Sequence, residues 1–441
     1  MRITIENFGA IKHFKFDTEK DMYLIFGKNS VGKSYGISLV YLILKLFKQR
    51  ANLGFAMELQ AFFDNQAFEH QDNADFNNRF AQYVKGSLIK FLNNSFITDL
   101  NRSLINSFNP IDALQNQLSN EELRISLEFI QFGAVFELKK TMQSDGSIML
   151  QIIDAAFKQP FDKLINKLDK DGISSDYGIG LNFVMGDFYS KLSTIRGVYY
   201  LPASRSGLYQ GLGAFAQIIV ELSKSRNIIS KPIHLPTISE PVADYFLRLS
   251  EADSSNQSGL SSYTDAIEHD IMSGNVEFDD DTKRLIFKPK DTQLKLDLSS
   301  TSSMVSELAP IVAYLKHILP NADTAKPAQK PLIFIEEPEA HLHPETQVKL
   351  MDVLARLVKD NKIKLVMTSH SNYIFNKASN LVMDGKIDPD KFKAVLFRMT
   401  ETGSVAENMA TDAYGIDDDN FIDTAESLYE EKLAIINKLN G

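Results

Sequence analysis

The chain has 441 residues, of which 44% are hydrophobic and 24% charged, a composition typical of a globular protein of about two to three domains. Cysteine is absent, which excludes a disulfide framework and a thiolate metal site. The formal net charge of −10 excludes a surface that is basic throughout, although a local basic groove that binds nucleic acid stays possible. No leader pattern precedes the first strand pattern, and the longest apolar helical stretch contains Lys45 and falls short of the roughly 20 residues that a bilayer requires. We therefore expect a cytoplasmic protein that does not contact a membrane.

The chain opens with three predicted strands, at residues 2–6, 13–17 and 22–26, of which the first two alternate and the third is wholly apolar. The third runs directly into the pattern G-x-x-x-x-G-K-S, from Gly27 to Ser34. A helix-length apolar stretch, 36–47, follows it. A loop between a buried strand and a helix N-terminus is the setting in which this pattern binds phosphate.

Each residue type in this loop has a chemical reason to be there. Gly27 and Gly32 let the backbone curl so that successive N–H groups point at phosphate oxygens. Lys33 places an ammonium on the β- and γ-phosphates, and the Ser34 hydroxyl can ligate Mg²⁺. A glycine-rich turn with a solvated lysine is the alternative, but it does not explain the flanking strand and helix. The residues predicted to hold ATP here are Gly27, Lys28, Asn29, Ser30, Val31, Gly32, Lys33, Ser34 and Tyr35.

The middle of the chain alternates between helical and strand patterns. Residues 51–118 are rich in Phe, Asn and Gln with patches of helical spacing, including Phe80, Tyr83, Leu88, Phe91 and Leu92, and they predict an inserted helical region. A second helical stretch is predicted after residue 154, a polar loop at 253–262 and a helix at 304–319. Strands are predicted at 125–129, 135–138, 148–153, 197–202 and 294–298, with hairpins around the Asp-Gly at 145–146 and within 276–287.

A second constellation follows the apolar strand 332–335, which ends in Glu336 and Glu337. Carboxylates at the end of a strand lie at the sheet edge where α/β sites form, beside the predicted phosphate loop. Glu336 would bind Mg²⁺ directly or through water, and Glu337 would orient the water that attacks the γ-phosphate. By themselves, two glutamates at the end of a strand are more often solvent-exposed side chains without a function. Because a predicted phosphate loop lies beside them, a functional site is the favoured interpretation here.

Three other features allow two interpretations each. His370 follows the strand 364–367 and could sense the γ-phosphate, or be a surface residue. Ser302 and Ser303 precede the helix 304–319 and could bind an anion, or Ser303 could simply cap the helix. His341 and His343 could ligate zinc, but their spacing fixes no third ligand, so a structural role is favoured.

The predicted fold is α/β, a mixed sheet flanked by helices, with an antiparallel β subdomain and an inserted helical region. Alternation of strands and helices at both ends predicts a discontinuous core, residues 1–50 and 265–410, interrupted by 51–264. Residues 411–441 are predicted to form an acidic C-terminal helix or tail, either solvated or docked on a partner.

These motifs resemble the ABC-type P-loop ATPase heads of the RecF, SMC and overcoming-lysogenization-defect superfamily. The resemblance rests on "ITIENFGAIKHFKF", the Walker A "GKNSVGKS", the Walker B and D-loop "LIFIEEPEAHLHP" and the switch-histidine segment "LVMTSHS", within residues 1–45 and 275–400. It implies Lys33 and Ser34 for phosphate and Mg²⁺, Glu336 for the metal, Glu337 for catalysis and His370 for γ-phosphate sensing. It also implies a head-to-tail homodimer, or a larger homo-oligomer, in which Ser302 and Ser303 of one subunit close the ATP site of the other.

The chain departs from the family pattern in several places. Met304 stands where the family's signature commonly has glycine, which weakens the implied contacts of Ser302 and Ser303 across a dimer. No long heptad insertion and no nuclease module is evident, so an effector would be a separate chain. The segment "YYLPASRSG" resembles an element of small prokaryotic ATPases in which Arg205 would lie near the nucleotide.

The function expected from the resemblance is an ATP-driven switch that controls a separately encoded, nuclease-like effector, as in prokaryotic anti-phage defence. One alternative is a RecF-like repair ATPase that clamps DNA through a local basic patch, Lys283, Arg284, Lys288, Lys290 and Lys295. Another is a nucleotide-dependent scaffold that assembles an oligomer and hydrolyses little ATP.

Overall fold

A computed structural model describes residues 1–52, parts of 82–90, 92–158 except 109, 131 and 132, 195–211, 238–321 except 281 and 283, 329–417 and parts of 429–436. Three predictions lie wholly or largely outside the described residues: the helical spacing around 80–91, the helical stretch after 154 and the acidic tail.

The strands form one large mixed sheet and two small antiparallel ones. The large sheet has eleven strands in the order β6-β5-β4-β1-β2-β14-β13-β3-β12-β11-β7, and the small sheets are β10-β9-β8 and β15-β16. The strands are β1 Arg2–Phe8, β2 Ile11–Asp17, β3 Met22–Gly27, β4 Arg124–Phe129, β5 Ala134–Met142, β6 Ile148–Phe157, β7 Ile195–Leu201, β8 Gly274–Asp279, β9 Arg284–Pro289, β10 Leu296–Asp297, β11 Lys330–Glu336, β12 Lys364–Thr368, β13 Phe392–Thr400, β14 Gly403–Asn408, β15 Thr411–Asp412 and β16 Gly415–Ile416.

Helices cover both faces of the large sheet. The α-helices are α1 Lys33–Asn52, α2 Thr98–Ser107, α3 Glu240–Ser250, α4 Ser261–Ile267, α5 Ser303–Ala313, α6 Pro344–Lys359 and α7 Asn372–Met383. Short π-helical turns adjoin three of them, at Asn93–Ile97, Glu268–Met272 and Tyr314–Ile318. Residues 205–211 are also helical. No helix among these described residues has both the length and the apolar character that a bilayer span requires.

Strand β3 shows how the two cores are separated. Tyr23 and Ile25 belong to the core that contains α1, whereas Met22, Leu24 and Phe26 belong to the core that contains α5, α6 and α7. Successive side chains of a strand point to opposite faces, so a strand covered on both faces must be apolar throughout. The unbroken apolar run at 22–26 therefore places the phosphate loop at the end of a central strand.

The predicted fold class is confirmed. Strands β13, β3, β12, β11 and β7 are parallel, while β6, β5, β4, β1 and β2 form an antiparallel half. Strands β4 to β7 lie within the segment predicted as an insertion and hydrogen-bond into the same sheet as β1. The domain boundaries themselves stay a prediction.

The predicted strand at 294–298 is shorter than expected. Only Leu296–Asp297 pairs with β9. The Asp297 carboxylate then accepts hydrogen bonds from the Ser299 backbone N–H at 3.0 Å and from its hydroxyl at 2.8 Å, and a 3₁₀ turn begins at Leu298. Aspartate competes with the sheet for backbone donors in this way, and here it ends the strand.

Candidate functional site

The sheet topology brings the predicted motifs to one edge. Strands β3, β12 and β11 are parallel neighbours, and β7 lies beside β11. Their carboxyl ends therefore meet: Gly27 ends β3, Thr368 ends β12, Glu336 ends β11 and Leu201 ends β7. This edge is where open α/β sheets bind ligands.

The phosphate loop has a backbone that needs its glycines. Gly27 and Gly32 have φ values of 145° and 92°. A Cβ on Gly27 would lie 2.7 Å from the carbonyl oxygen of Phe397, and one on Gly32 would lie 2.8 Å from a side-chain carbon of Ile11. The loop is also held from β14, because the buried Ser404 hydroxyl donates to the Val31 carbonyl at 2.6 Å.

Lys33 lies inside this loop and is only 6% exposed. Its ammonium donates to the carbonyl oxygens of Gly27 at 2.9 Å and Lys28 at 2.8 Å. Burial lowers the pKa of Lys33, and the nearby carboxylates of Glu337 and Glu336 oppose that effect. Of the other loop residues, Lys28, Asn29, Ser30, Ser34 and Tyr35 are exposed, whereas Val31 is buried.

Glu336 joins the loop to β11. The Ser34 hydroxyl donates to Glu336 Oε2 at 2.5 Å, and the buried Tyr200 hydroxyl donates to Glu336 Oε1. Burial raises the pKa of the Glu336 carboxyl, and these two hydrogen bonds oppose the rise. The Ser38 hydroxyl lies 2.9 Å from the Tyr200 oxygen and completes a polar chain beneath the carboxylate.

A hydroxyl and a carboxylate side by side are the kinds of oxygen ligand that Mg²⁺ takes. The ion prefers hard oxygen ligands and usually takes one or two carboxylates, completing its octahedral shell with water and substrate phosphates. Ser34 and Glu336 offer these groups beside the predicted phosphate loop. The second carboxylate oxygen of Glu336 is already held by Tyr200, so the carboxylate is oriented before any ion arrives.

Glu337 stands on a strained turn next to His370. Its φ is 44°, a left-handed conformation that is uncommon for a residue other than glycine. Its backbone N–H donates to the Thr368 carbonyl at 3.0 Å, and its Oε1 lies 3.5 Å from His370 Nε2. The interaction with His370 holds the pKa of Glu337 below its ordinary value, so this carboxylate is ionised near neutral pH.

Glu339 orients the switch-histidine segment. Its Oε1 accepts hydrogen bonds from the Ser369 hydroxyl and from the His370 backbone N–H, both at 2.7 Å. The third acid of "EEPE" thus ties the turn after β11 to the end of β12. Sequence reasoning did not single out Glu339, although its spacing from the strand end was visible.

Ser302 and Ser303 lie elsewhere, at the exposed N-terminus of α5. The N-cap is Ser302, whose Oγ accepts from the Val305 N–H at 3.4 Å, so the prediction that Ser303 caps the helix is off by one residue. Ser303 begins the helix, and its hydroxyl is free of the capping role. No contact joins these serines to the phosphate loop of the same subunit among the hydrogen bonds of the described residues.

The histidine pair lies on the loop after the acidic turn. His341 has a φ of 60°, His343 is the N-cap residue of α6, and both are exposed. Within the described ranges, no three His, Cys, Asp or Glu side chains gather into a group that could hold a metal ion.

Sequence reasoning did not identify Tyr200, and it expected a different position for Arg205. Tyr200, buried on β7, had no local signal because its partner Glu336 lies 136 residues away in the chain. Arg205 was expected near the nucleotide; it is instead fully buried behind the acidic turn, where it donates to the Glu336 carbonyl at 2.7 Å.

Comparison with known proteins gives one family match. The model of a family described as an AAA ATPase domain matches residues 217–375, which include α5, β11, Glu337 and His370 but not the phosphate loop. No curated protein matches the chain.

Among solved structures, the SMC head bound to the C-winged helix domain of ScpA is 10% identical, covering 93% of this chain and 97% of its own, with a TM-score of 0.41. The SMC head domain from Thermotoga maritima is 11% identical, covering 93% and 98%, with a TM-score of 0.36. A ScpA-bound Smc head domain with an extended coiled coil, from Pyrococcus furiosus, is 10% identical, covering 98% of each chain, with a TM-score of 0.37. These scores carry no inference about what this chain does.

The matched residues contain the acidic turn and the histidine segment, which lie with the predicted phosphate loop at the ends of neighbouring parallel strands. Residues 217–375 are thus similar to an AAA ATPase domain, and the geometry of the sheet edge is compatible with nucleotide binding there.

Proposed function

We propose that this protein is an ATP-driven switch: two subunits close around two ATP molecules, hydrolysis separates them, and this cycle controls a separately encoded, nuclease-like effector in prokaryotic anti-phage defence. The observation that carries the ATPase part is the 2.5 Å hydrogen bond from Ser34 to Glu336, which joins the phosphate loop to the acidic turn. The defence role rests on the resemblance to standalone prokaryotic ATPases.

Each residue at the sheet edge has a separate proposed role in hydrolysis. The loop amides and Lys33 would bind the phosphates, and Ser34 with Glu336 would hold Mg²⁺, which neutralises charge on the β- and γ-phosphates. Glu337, ionised and half-buried beside the loop, would orient the attacking water and accept its proton. His370 would contact the γ-phosphate and, through Glu337, report its presence.

Dimerisation is proposed from the exposed N-terminus of α5. The exposed N-terminus of α5 offers free backbone N–H groups and the hydroxyls of Ser302 and Ser303, which suit a phosphate. Since these groups do not contact the phosphate loop of their own chain, they would serve the nucleotide of a partner. Met304 is half-buried beside them, so its side chain is partly turned away from this surface.

The DNA-clamp alternative has weaker support. Within the proposed basic patch, Arg284 lies 3.4 Å from the Asp297 carboxylate and Lys288 lies 2.5 Å from that of Glu277. Neighbouring acids thus offset part of the charge that phosphate binding would need. Lys283 lies outside the described residues.

The dimer is tested with Glu337→Gln protein, which should retain ATP. We expect Mg-ATP to convert this variant from monomer to dimer in size-exclusion chromatography with light scattering. Ser303→Arg in the same background should abolish the dimer but leave ATP binding intact. Ser261→Arg is the matched control, because Ser261 is an exposed first residue of another helix, α4. A dimer that survives Ser303→Arg would contradict the proposed interface.

The effector is tested by tagging the Glu337→Gln form in its native host together with the neighbouring genes. A neighbour-encoded protein that co-purifies with this form but not with Lys33→Ala would support the switch. DNA that co-purifies without protein would favour the repair clamp instead. If Glu337→Gln changes neither turnover nor assembly, the scaffold alternative gains.

A further inference from the structure

Arg205 connects parts of the ATPase site that are distant in the sequence. Its side chain is fully buried at the start of the helical residues 205–211. Nη1 donates to the Glu336 carbonyl at 2.7 Å and to the Pro202 carbonyl at 3.1 Å, while Nη2 donates to the Glu337 carbonyl at 3.2 Å. Nε donates to the Glu307 carbonyl at 3.2 Å. One guanidinium thus binds both the acidic turn and helix α5.

The partner of this charge is also buried. Glu307, on α5, is fully shielded from solvent, and its Oε2 lies 3.3 Å from Arg205 Nη2. The other oxygen, Oε1, accepts from the Ser206 hydroxyl at 2.7 Å and from its N–H at 3.2 Å. Buried ion pairs add little net stability, because desolvation offsets attraction, but removal of one partner leaves a costly unpaired charge. The pair therefore fixes geometry more than it stabilises the fold.

The geometry that it fixes includes the strained peptide of Glu337. A left-handed conformation at a residue other than glycine is strained and persists where neighbouring groups hold it. Three hydrogen bonds hold this one: the Glu337 N–H donates to the Thr368 carbonyl, and the Glu337 carbonyl accepts from the Ala340 N–H within the turn and from Arg205. Arg205 and Thr368 are the donor and acceptor that anchor the turn to other parts of the chain.

Through the buried Glu307, the same arginine is connected to the helix whose N-terminus would meet a second subunit. Glu307 lies one helical turn after Ser303, the exposed first residue of α5. A displacement of the α5 N-terminus would move Glu307, and Arg205 would pass that movement to the carbonyls of Glu336 and Glu337.

We propose that Arg205 is a positioning residue: it holds the Glu337 turn in its left-handed conformation and couples that turn, through Glu307, to the N-terminus of α5. The inference rests on the proposed function, since Glu337 acts on the water that attacks ATP. Arg205 itself does not touch the nucleotide, because its donors are occupied by the protein's own carbonyls.

The test is Arg205→Lys, which keeps the charge but cannot form the planar fork. We expect kcat to fall by about tenfold to a hundredfold, as for a misplaced catalytic group, with ATP affinity close to wild type. The melting temperature should fall as well, because buried carbonyls lose their donors. Arg398→Lys is the matched control, because Arg398 pairs with Glu407 at 3.0 Å on the partly exposed β13–β14 hairpin. Glu307→Gln, which removes the charge of the partner at similar volume, should act in the same direction.

A background that already lacks the Glu337 carboxylate separates positioning from general damage. In Glu337→Gln protein, Arg205→Lys should lower the residual turnover no further. Equal losses in both backgrounds, or a parallel loss of ATP affinity, would overturn the inference.

Hydrogen exchange at the 336–339 turn gives a readout that does not depend on hydrolysis. Arg205→Lys should accelerate exchange of the Glu337 amide, and Arg398→Lys should not. Wild-type protein without ATP turnover would contradict the proposed function, whereas unchanged exchange in Arg205→Lys would contradict the coupling alone.

Discussion

Replacing Tyr200 with phenylalanine removes a single hydroxyl from beneath the predicted metal ligand. That hydroxyl donates to Glu336 Oε1 in a fully buried setting, and the bond favours the ionised carboxylate. Burial already raises the pKa of Glu336, so the carboxylate depends on the donors that remain. Tyr200→Phe leaves only the Ser34 hydroxyl.

The magnitude follows from the strength of the lost bond. A hydrogen bond to a charged group is worth about 1.5–3 kcal/mol, and about 1.4 kcal/mol corresponds to one pH unit. Only the ionised carboxylate binds Mg²⁺, so a higher pKa means that the site is lost at a higher pH. The acid limb of Mg²⁺-dependent turnover should therefore move up by about one to two pH units in Tyr200→Phe.

The assay is kcat/KM for ATP measured against pH at limiting and at saturating Mg²⁺. Tyr41→Phe is the matched control, since the buried Tyr41 hydroxyl donates to Asp244 at 2.7 Å and its ring lies 5.0 Å from that of Tyr200. In Tyr41→Phe, the acid limb of the pH profile of kcat/KM should lie at the same pH as in the wild type. A uniform loss of turnover at every pH, or a limb that moves to lower pH, would refute the role assigned to Tyr200.

Three further predictions follow from the loop and the acidic turn. Lys33→Ala should weaken ATP binding by about tenfold or more in equilibrium titration, because a charge-assisted contact with phosphate is lost. Glu337→Gln should lower kcat by about 10²–10⁴-fold while ATP affinity is retained; an unchanged kcat would rule out a general base at this position. Gly32→Ala should cost about 1–3 kcal/mol in chemical denaturation, since φ is 92° and the new Cβ would meet Ile11, whereas Gly207→Ala, with open space around it, should not be destabilising.

Local patterns were enough to predict the parts of the site that lie at strand ends. The run 22–26 is apolar at every position and ends in Gly27, and 332–335 ends in Glu336 in the same way. A wholly apolar strand lies between two covered faces, and the carboxyl ends of such strands are where open α/β sheets bind ligands. Phosphate loop, acids and histidine could be predicted without knowing the strand order.

The strand order itself could not be predicted, and the residues that depend on it were missed. Tyr200 faces Glu336 only because β7 pairs with β11, across a gap of 136 residues. Ser404 holds the phosphate loop only because β14 reaches it from the far end of the chain. Contacts of this kind are set by packing between distant segments, and the periodicity within a segment carries no information about them.

The position of Arg205 shows why the site behaves as one unit. Glu336 is held by Ser34 from the phosphate loop and by Tyr200 from β7, while the peptide that follows it is held by Arg205 and Thr368. Each bond reaches a different segment of the chain, and together they fix the Glu336 carboxylate and the peptide that carries Glu337. If the proposed role of Arg205 is correct, a phosphate bound at the loop would act on the acidic turn and, through Arg205 and Glu307, on α5. The proposed nucleotide site and the proposed dimer surface would then be connected through buried contacts within one subunit.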